Sequence, residues 1–142
     1  ARPITVGDDV WLGGGVTVLL SKLLIQSVSC YDTAGENFYH GLVLGLCAML
    51  DNRYYITSNR ESGTGRYDIA LCPKDLKLPG IIIELKAEKD CDEEALLALS
   101  ETALKQIEDK KYDTNMKAKG ISVILKYGVA FSGKTVKIST KQ

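Results

Sequence analysis

One short segment, Gly80–Ala87, limits the possible folds of this chain most strongly. It reads Gly-Ile-Ile-Ile-Glu-Leu-Lys-Ala, and its three successive β-branched residues predict a buried β-strand. Because side chains alternate between the two faces of a strand, Glu84 and Lys86 share one face with Ile82. This face therefore carries an acid and a base, although a neighbouring element is expected to bury the face. The segment therefore indicates either a structural ion pair or a site that uses both charges.

A second strand, predicted over Arg66–Leu71, also carries an unexpected acid, Asp68. The alternation predicts one face with Tyr67, Ile69 and Leu71, and it puts Asp68 on the opposite face. Asp68 is therefore the second polar residue that interrupts an otherwise apolar strand.

A hairpin between these two strands, joined by residues 72–79, would bring the carboxylates of Asp68 and Glu84 together at one edge of the sheet. Two carboxylate oxygens, the main-chain carbonyl of Leu85 and water molecules suit Mg²⁺ or Mn²⁺. Such a metal withdraws charge from a scissile phosphate and acidifies a bound water, and Lys86 can orient that water. These groups fit phosphodiester hydrolysis. Ion pairs of purely structural use are the alternative.

The remaining periodicities predict one mixed β-sheet flanked by helices, an α/β fold with the order α-β-β-β-α-β-β. The predicted elements are a helix over Glu36–Leu50, strands over Arg53–Asn59, Arg66–Leu71 and Gly80–Ala87, a helix over residues 92–111, and a strand pair over Gly120–Phe131 and Thr135–Ile138. Asp92 is the expected N-cap of the second helix. Gly41 and Gly45, four residues apart in the first helix, predict the close approach of another element.

The first twenty residues have a pattern of their own. Ile4, Val10 and Val16 recur at intervals of six, with glycines and aspartates between them. This segment resembles one coil of the left-handed β-helix of hexapeptide-repeat acyltransferases, although it lacks the histidine base that those enzymes use. A single coil cannot bury a core of its own, because such repeats need about three neighbours. We therefore expect residues 1–20 to form an appendage and residues 21–142 to form the folded domain.

Length and composition fit one globular domain of 142 residues, with 45% hydrophobic and 25% charged residues. Eighteen basic and eighteen acidic residues give no net charge, so bulk charge does not draw the molecule to nucleic acid. Residues 84–101 nevertheless carry seven acids and two bases, and residues 105–142 carry nine lysines and three acids. Apolar runs are too short to span a membrane, and the start lacks the order of a signal peptide. A cytoplasmic location is expected.

The chain resembles the PD-(D/E)XK nuclease superfamily, in the branch found at the C-terminal end of bacterial proteins with an AAA-ATPase-like region. The resemblance covers about residues 21–139. The matching segments are Glu36-Asn-Phe-Tyr-His-Gly41, Ser58-Asn-Arg-Glu-Ser-Gly63, Gly65-Arg-Tyr-Asp-Ile69, Ile82-Ile-Glu-Leu-Lys86, Ala103-Leu-Lys-Gln-Ile107 with Tyr112, and Tyr127-Gly-Val-Ala-Phe-Ser132. The resemblance implies a restriction-endonuclease-like fold, Mg²⁺-dependent cleavage of DNA and an AAA-type ATPase as partner.

The resemblance also implies a role for individual residues. Asp68 matches the motif aspartate, Glu84 the second acid and Lys86 the motif lysine. A first-helix acid that supplements the site in some members matches Glu36. Two further supporting residues, Gln106 and Tyr112, are similar to a helix motif near the site, with a spacing that departs from Q-x-x-x-Y.

Five further residues have more than one interpretation. Arg60 and Arg66 flank the predicted Ser62–Gly65 turn and are candidates for phosphate contacts, or they are simply solvated. His40 shares a helix face with Glu36, so it either reaches the site or is a hydrogen-bonded, partly buried histidine. Tyr54 and Tyr55 are neighbours in a predicted strand, so one should face the core and the other solvent. The exposed one can stack on a base, but alternation alone does not show which of the two is exposed.

Two functions therefore remain open. The first is a metal-dependent deoxyribonuclease, and the second is an inactive domain of the same fold that binds nucleic acid or protein in association with an AAA-type ATPase. Either form can be an oligomer. The intact set of Asp68, Glu84 and Lys86 favours the first, because a domain freed from catalysis has no use for an acid pair on a buried face. With one histidine and no Cys-x-x-Cys pair in the chain, a zinc site is not expected.

Overall fold

The computed structural model describes residues 22, 24–26 and 35–141, and the appendage expected at residues 1–20 lies outside this range. Residues 22 and 24–26 are helical. The later elements are α1 (Glu36–Cys47) with a 3-10 turn (Ala48–Leu50), β1 (Tyr54–Ser62), β2 (Gly65–Pro73), β3 (Gly80–Ala87), α2 (Glu93–Asp109), α3 (Thr114–Ala118), β4 (Ile124–Ser132) and β5 (Thr135–Lys141).

The five strands form one mixed sheet in the order β1-β2-β3-β4-β5. β1 with β2, β2 with β3, and β4 with β5 are antiparallel, whereas β3 and β4 are parallel. A parallel pair needs a crossover, and α2 supplies it between β3 and β4. The predicted α/β fold with helices flanking a mixed sheet is confirmed, and β3 is its central strand.

Hydrophobic cores lie on both faces of the sheet. On one face, Ile81, Ile83 and Leu85 of β3 pack in a cluster with Tyr39 and Val43 of α1. On the other face, Ile82 packs with residues of α2, α3 and β2, and this cluster comprises Tyr67, Ala70, Ile82, Ile107, Tyr112, Met116, Ile121 and Ile124. The alternation predicted for β3 is therefore observed, and it leaves Glu84 and Lys86 on the α2 side.

The alternation predicted for β2 is wrong at Tyr67. This residue belongs to the α2-side cluster, whereas Ile69 and Leu71 belong to the α1-side cluster. The regular pattern fails at Asp68, where both the backbone amide and the side chain bond to β3. Opposite Asp68, Asn59 of β1 has a φ of 53°, a conformation that interrupts regular strand geometry.

Three local expectations can be compared with the structure. Asp92 caps α2 as predicted, and its carboxylate accepts a hydrogen bond from the Ala95 amide at 2.7 Å. The predicted close approach at Gly41 and Gly45 is wrong for the described residues, none of which comes within 4 Å of a methyl group built at either glycine. The strand predicted from Gly120 begins only at Ile124, after the short helix α3. Within the described ranges, no helix is long and apolar enough to cross a membrane.

Candidate active site

The candidate site lies where β2 and β3 separate. The two strands pair from Leu71 and Ile81 to Ile69 and Ile83, and the regular pairing stops before Asp68. Beyond that point side chains replace carbonyl groups as acceptors. The Leu85 amide donates to Asp68 Oδ2 at 2.7 Å, while the Asp68 amide lies 3.4 Å from Glu84 Oε2. The two acids are therefore fixed against each other's strands.

The opposite edge of β3 is fixed by its pairing with β4. β3 pairs with β4 along its whole length, including Glu84 with Gly128 and Lys86 with Ala130. A methyl group at Gly128 would lie 2.1 Å from the carbonyl oxygen of Ser100, so the absence of a side chain lets α2 lie directly on the strand. The backbone that carries Glu84 and Lys86 is thus fixed by β4 and covered by α2.

Glu84 is buried, with 3% of its surface exposed, and its pKa is raised from 4.5 to about 8. Burial is the largest cause, and the negative charge of Asp68 adds to it. The charge of Lys86 and the hydrogen bond from the Asp68 amide act in the opposite direction, and Glu36 contributes the smallest of these effects by raising the pKa. Without a cation nearby, Glu84 is therefore mostly protonated at neutral pH.

Gln106 of α2 joins the acid to the lysine. Its side-chain oxygen accepts a hydrogen bond from Lys86 Nζ at 2.7 Å, and its Nε2 donates to Glu84 Oε1. The same nitrogen donates to the Tyr112 hydroxyl oxygen at 3.1 Å. Lys86 Nζ lies 3.9 Å from Glu84 Oε1, so one amide side chain holds both charged groups in place.

Tyr112 is positioned by the tip of the β1–β2 hairpin. Ser62 Oγ donates to the Tyr112 carbonyl oxygen at 2.8 Å, and the Thr64 amide donates to the Lys110 carbonyl oxygen at 2.9 Å. Between them, Gly63 has a φ of +63°, and a methyl group there would lie 2.2 Å from the Lys110 carbonyl oxygen. Only glycine fits, so the hairpin tip is attached closely to the end of α2.

α1 reaches the site from the opposite face of the sheet. His40 Nε2 and Ser58 Oγ are hydrogen-bonded at 2.8 Å, and His40 Nδ1 lies 4.0 Å from Asp68 Oδ1. Both interpretations of His40 are therefore correct: it is a half-buried, hydrogen-bonded residue, and it also borders the acid pair. Its position one helical turn after Glu36 was the signal that pointed to it. No periodicity in the sequence indicated that Ser58 would bond to His40.

The two arginines lie on the β1–β2 hairpin, and the described contacts join neither of them to Asp68 or Glu84. Both are exposed, with Arg60 opposite Tyr67 and Arg66 opposite Glu61. Arg66 lies 3.9 Å from the Glu61 carboxylate.

Among the described residues, no group of three or more histidine, cysteine, aspartate or glutamate side chains is placed so that it could hold a metal ion. Asp68 and Glu84 supply two carboxylates, and the charge of Asp68 raises the pKa of Glu84. A cation between them would relieve that repulsion, so the donor set fits a hard divalent ion whose remaining ligands are backbone carbonyls and water.

The comparisons with known proteins agree with this geometry. A family model described as PD-(D/E)XK nuclease superfamily matches residues 34–141. The search of curated proteins and the search of solved structures gave no significant match.

Proposed function

The chain belongs to the PD-(D/E)XK nuclease superfamily, and we propose that it hydrolyses phosphodiester bonds of DNA with the help of Mg²⁺ or Mn²⁺. One observation carries the proposal: Asp68 and Glu84 meet where two strands separate, and Gln106 holds Lys86 beside them. A purely structural ion pair needs no second carboxylate at the same place.

Each side chain has a distinct task in this proposal. Asp68 and Glu84 would hold the cation, which would withdraw charge from the scissile phosphate and lower the pKa of a water molecule. Glu84 would act as a ligand in its ionised form. Lys86, held by Gln106, orients the attacking water and neutralises charge that develops on the phosphate. His40 borders the site from α1, whereas Glu36 is exposed and acts on Glu84 only through its charge. Tyr112 fixes Gln106.

A nicking assay on supercoiled, linear duplex and single-stranded DNA tests this function. We expect cleavage with Mg²⁺ or Mn²⁺ and none with EDTA. Asp68→Asn, Glu84→Gln and Lys86→Met should each reduce the rate by about 100-fold or more. These variants keep the shape of each side chain, and the asparagine retains an acceptor for the Leu85 amide. Cooperative thermal unfolding of each variant, with a melting temperature no lower than that of the wild type, would exclude a loss through misfolding.

Lys89→Met is the matched control. Lys89 is an exposed lysine three residues after Lys86, so its removal changes the net charge equally but should leave cleavage unchanged. Cleavage that persists in all three site variants would contradict the assignment. A wild-type protein that binds DNA but never cleaves it would favour the inactive binding domain. The association with an AAA-type ATPase, which the resemblance implies, stays a prediction.

A further inference from the structure

A groove of about 630 Å³ lies on the α2 side of the β1–β2 hairpin, next to the candidate active site. Tyr55 and Thr57 of β1 lie opposite Cys72 and Ala70 of β2, and these four residues line the groove. The small side chains of Thr57, Ala70 and Cys72 leave room above the sheet. The volume is in the range of pockets that hold small organic groups.

The groove is lined by an exposed aromatic ring and by charges of both signs. Tyr55 is 62% exposed, and Lys74, which is not part of the lining, places its Nζ 5.1 Å from the centre of the ring. Arg60 and Lys119 line the groove, and both are exposed. Glu61 also lines it and lies 3.9 Å from Arg66, so two bases and one acid face the space. A flat aromatic group with an adjacent anion would match this arrangement.

Two tyrosines connect the groove to the acid pair. Tyr67 and Tyr112 both line it, and their rings meet edge to face at 6.3 Å. The Tyr112 hydroxyl accepts a hydrogen bond from Gln106, which in turn donates to Glu84. A ligand in the groove is thus separated from Glu84 by only two side chains.

We propose that this groove binds an unpaired base of the substrate strand, stacked on Tyr55, with its phosphates near Arg60 and Lys119. The proposal rests on the proposed function, because it places the next part of the strand at the Asp68–Glu84 site. Bases inside a duplex are stacked on their neighbours and cannot offer a free face. The enzyme would therefore act on single-stranded or frayed DNA in preference to intact duplex.

Binding of a fluorescent twelve-nucleotide DNA strand, followed by anisotropy in EDTA, tests the proposal without cleavage. The single strand should bind wild type more tightly than a duplex of the same sequence. Tyr55→Phe keeps the ring and should bind like wild type. Tyr55→Leu removes the ring and should weaken binding by about 5-fold to 150-fold, the range for losing one stacked base. Because residue 55 is exposed, we expect both variants to fold.

Alkylation of the groove cysteine gives a second measurement. Cys72 lines the groove and is partly exposed, as is Cys91, which does not line it. Saturating single-stranded DNA should slow the reaction of Cys72 with iodoacetamide and leave that of Cys91 unchanged, as followed by peptide mass spectrometry. Equal protection of both thiols, or of neither, would contradict binding in the groove.

The outcomes separate this proposal from the nuclease function. Equal binding of single strand and duplex, or equal affinity of the Phe and Leu variants, would overturn the groove assignment even if the enzyme cleaves DNA. Tighter binding of RNA than of DNA of the same sequence would overturn the choice of DNA. Tyr55-dependent binding without any metal-dependent cleavage would support the groove and contradict the nuclease.

Discussion

At the scale of single residues, Glu84 is the most unusual group of the described chain. A carboxyl group with a pKa of about 8 in the folded protein, against 4.5 as its ordinary value, binds a proton more tightly when folded than when unfolded. Its contribution to stability is complete below about pH 4.5 and is lost as the pH rises through about 8. The metal-free protein should therefore become less stable across the neutral range because of this residue.

We predict that Glu84→Gln has little effect on the melting temperature at pH 5 and raises it by several degrees at pH 8.5 in EDTA. Glutamine is neutral at both values, so it avoids the cost of burying a charge. Thermal unfolding of the two proteins, scanned in parallel buffers from pH 5 to pH 8.5, checks this. A constant difference across the range would show that Glu84 does not titrate there.

At the scale of elements, the contact between α2 and β4 decides where Gln106 lies. Ala103 and Ile107, which flank Gln106 on α2, are fully buried. Gly128 allows the helix backbone to approach, since a methyl group there would lie 2.5 Å from the Leu104 amide nitrogen and 2.1 Å from the Ser100 oxygen. Both are backbone atoms, which a single side chain cannot push aside at low cost.

Gly128→Ala should lower the free energy of unfolding by about 1–3 kcal/mol, the usual cost of overpacking, as measured by urea denaturation. It should also lower cleavage by moving Gln106 away from Lys86. Gly41→Ala is the control, because Gly41 is exposed and no described atom lies near its missing methyl group. Alanine in that helix should raise stability by about 0.5–1 kcal/mol. An unchanged Gly128→Ala protein would mean that α2 can shift freely.

The elements also show what the sequence could and could not predict. Apolar periodicity predicted the order of the strands and of the two long helices, and the face of Glu84 and Lys86, because local burial determines them. The cap at Asp92 was predicted from the preference for aspartate at a helix start. The face of Tyr67 could not be predicted, since it depends on a break in pairing with another strand. The five-residue helix α3 has only one buried side chain, Met116, and hence no period. Gln106 was proposed from the resemblance, since its contacts span 20 and 22 residues.

At the scale of the whole molecule, salt bridges involve many lysines of the basic C-terminal segment, although among the described residues only Lys137 pairs with an acid of the 84–101 stretch, Glu93. Five of the nine lysines after residue 104 form salt bridges with described acids, namely Lys105, Lys117, Lys126, Lys137 and Lys141. Lys126 is the most buried of them and contacts both Glu108 and Asp113. Because these lysines are paired with acids, less of the positive charge of the segment is left to bind phosphate groups.

We therefore predict weak, salt-sensitive binding of duplex DNA, with a dissociation constant in the micromolar range or above. Roughly three to five phosphate contacts correspond to a slope between about −2.7 and −4.5 in a plot of log affinity against log salt concentration. Titrations at several salt concentrations, with and without Mg²⁺, measure it. Added Mg²⁺ should tighten binding. An affinity that does not change with salt concentration would favour a protein partner over DNA.

The separation of β2 from β3 gives the two acids opposite effects on the folded state. Asp68 accepts a hydrogen bond from the Leu85 amide, which a strand carbonyl would otherwise accept, and this stabilises the folded state. The ionised form of Glu84 destabilises the folded state, because it is buried and lies beside the negative charge of Asp68. Selection acting on stability alone would retain the first acid and discard the second. In a lineage that gave up catalysis, position 84 should drift toward a neutral residue well before position 68 does, and the order of these losses would date the end of the activity.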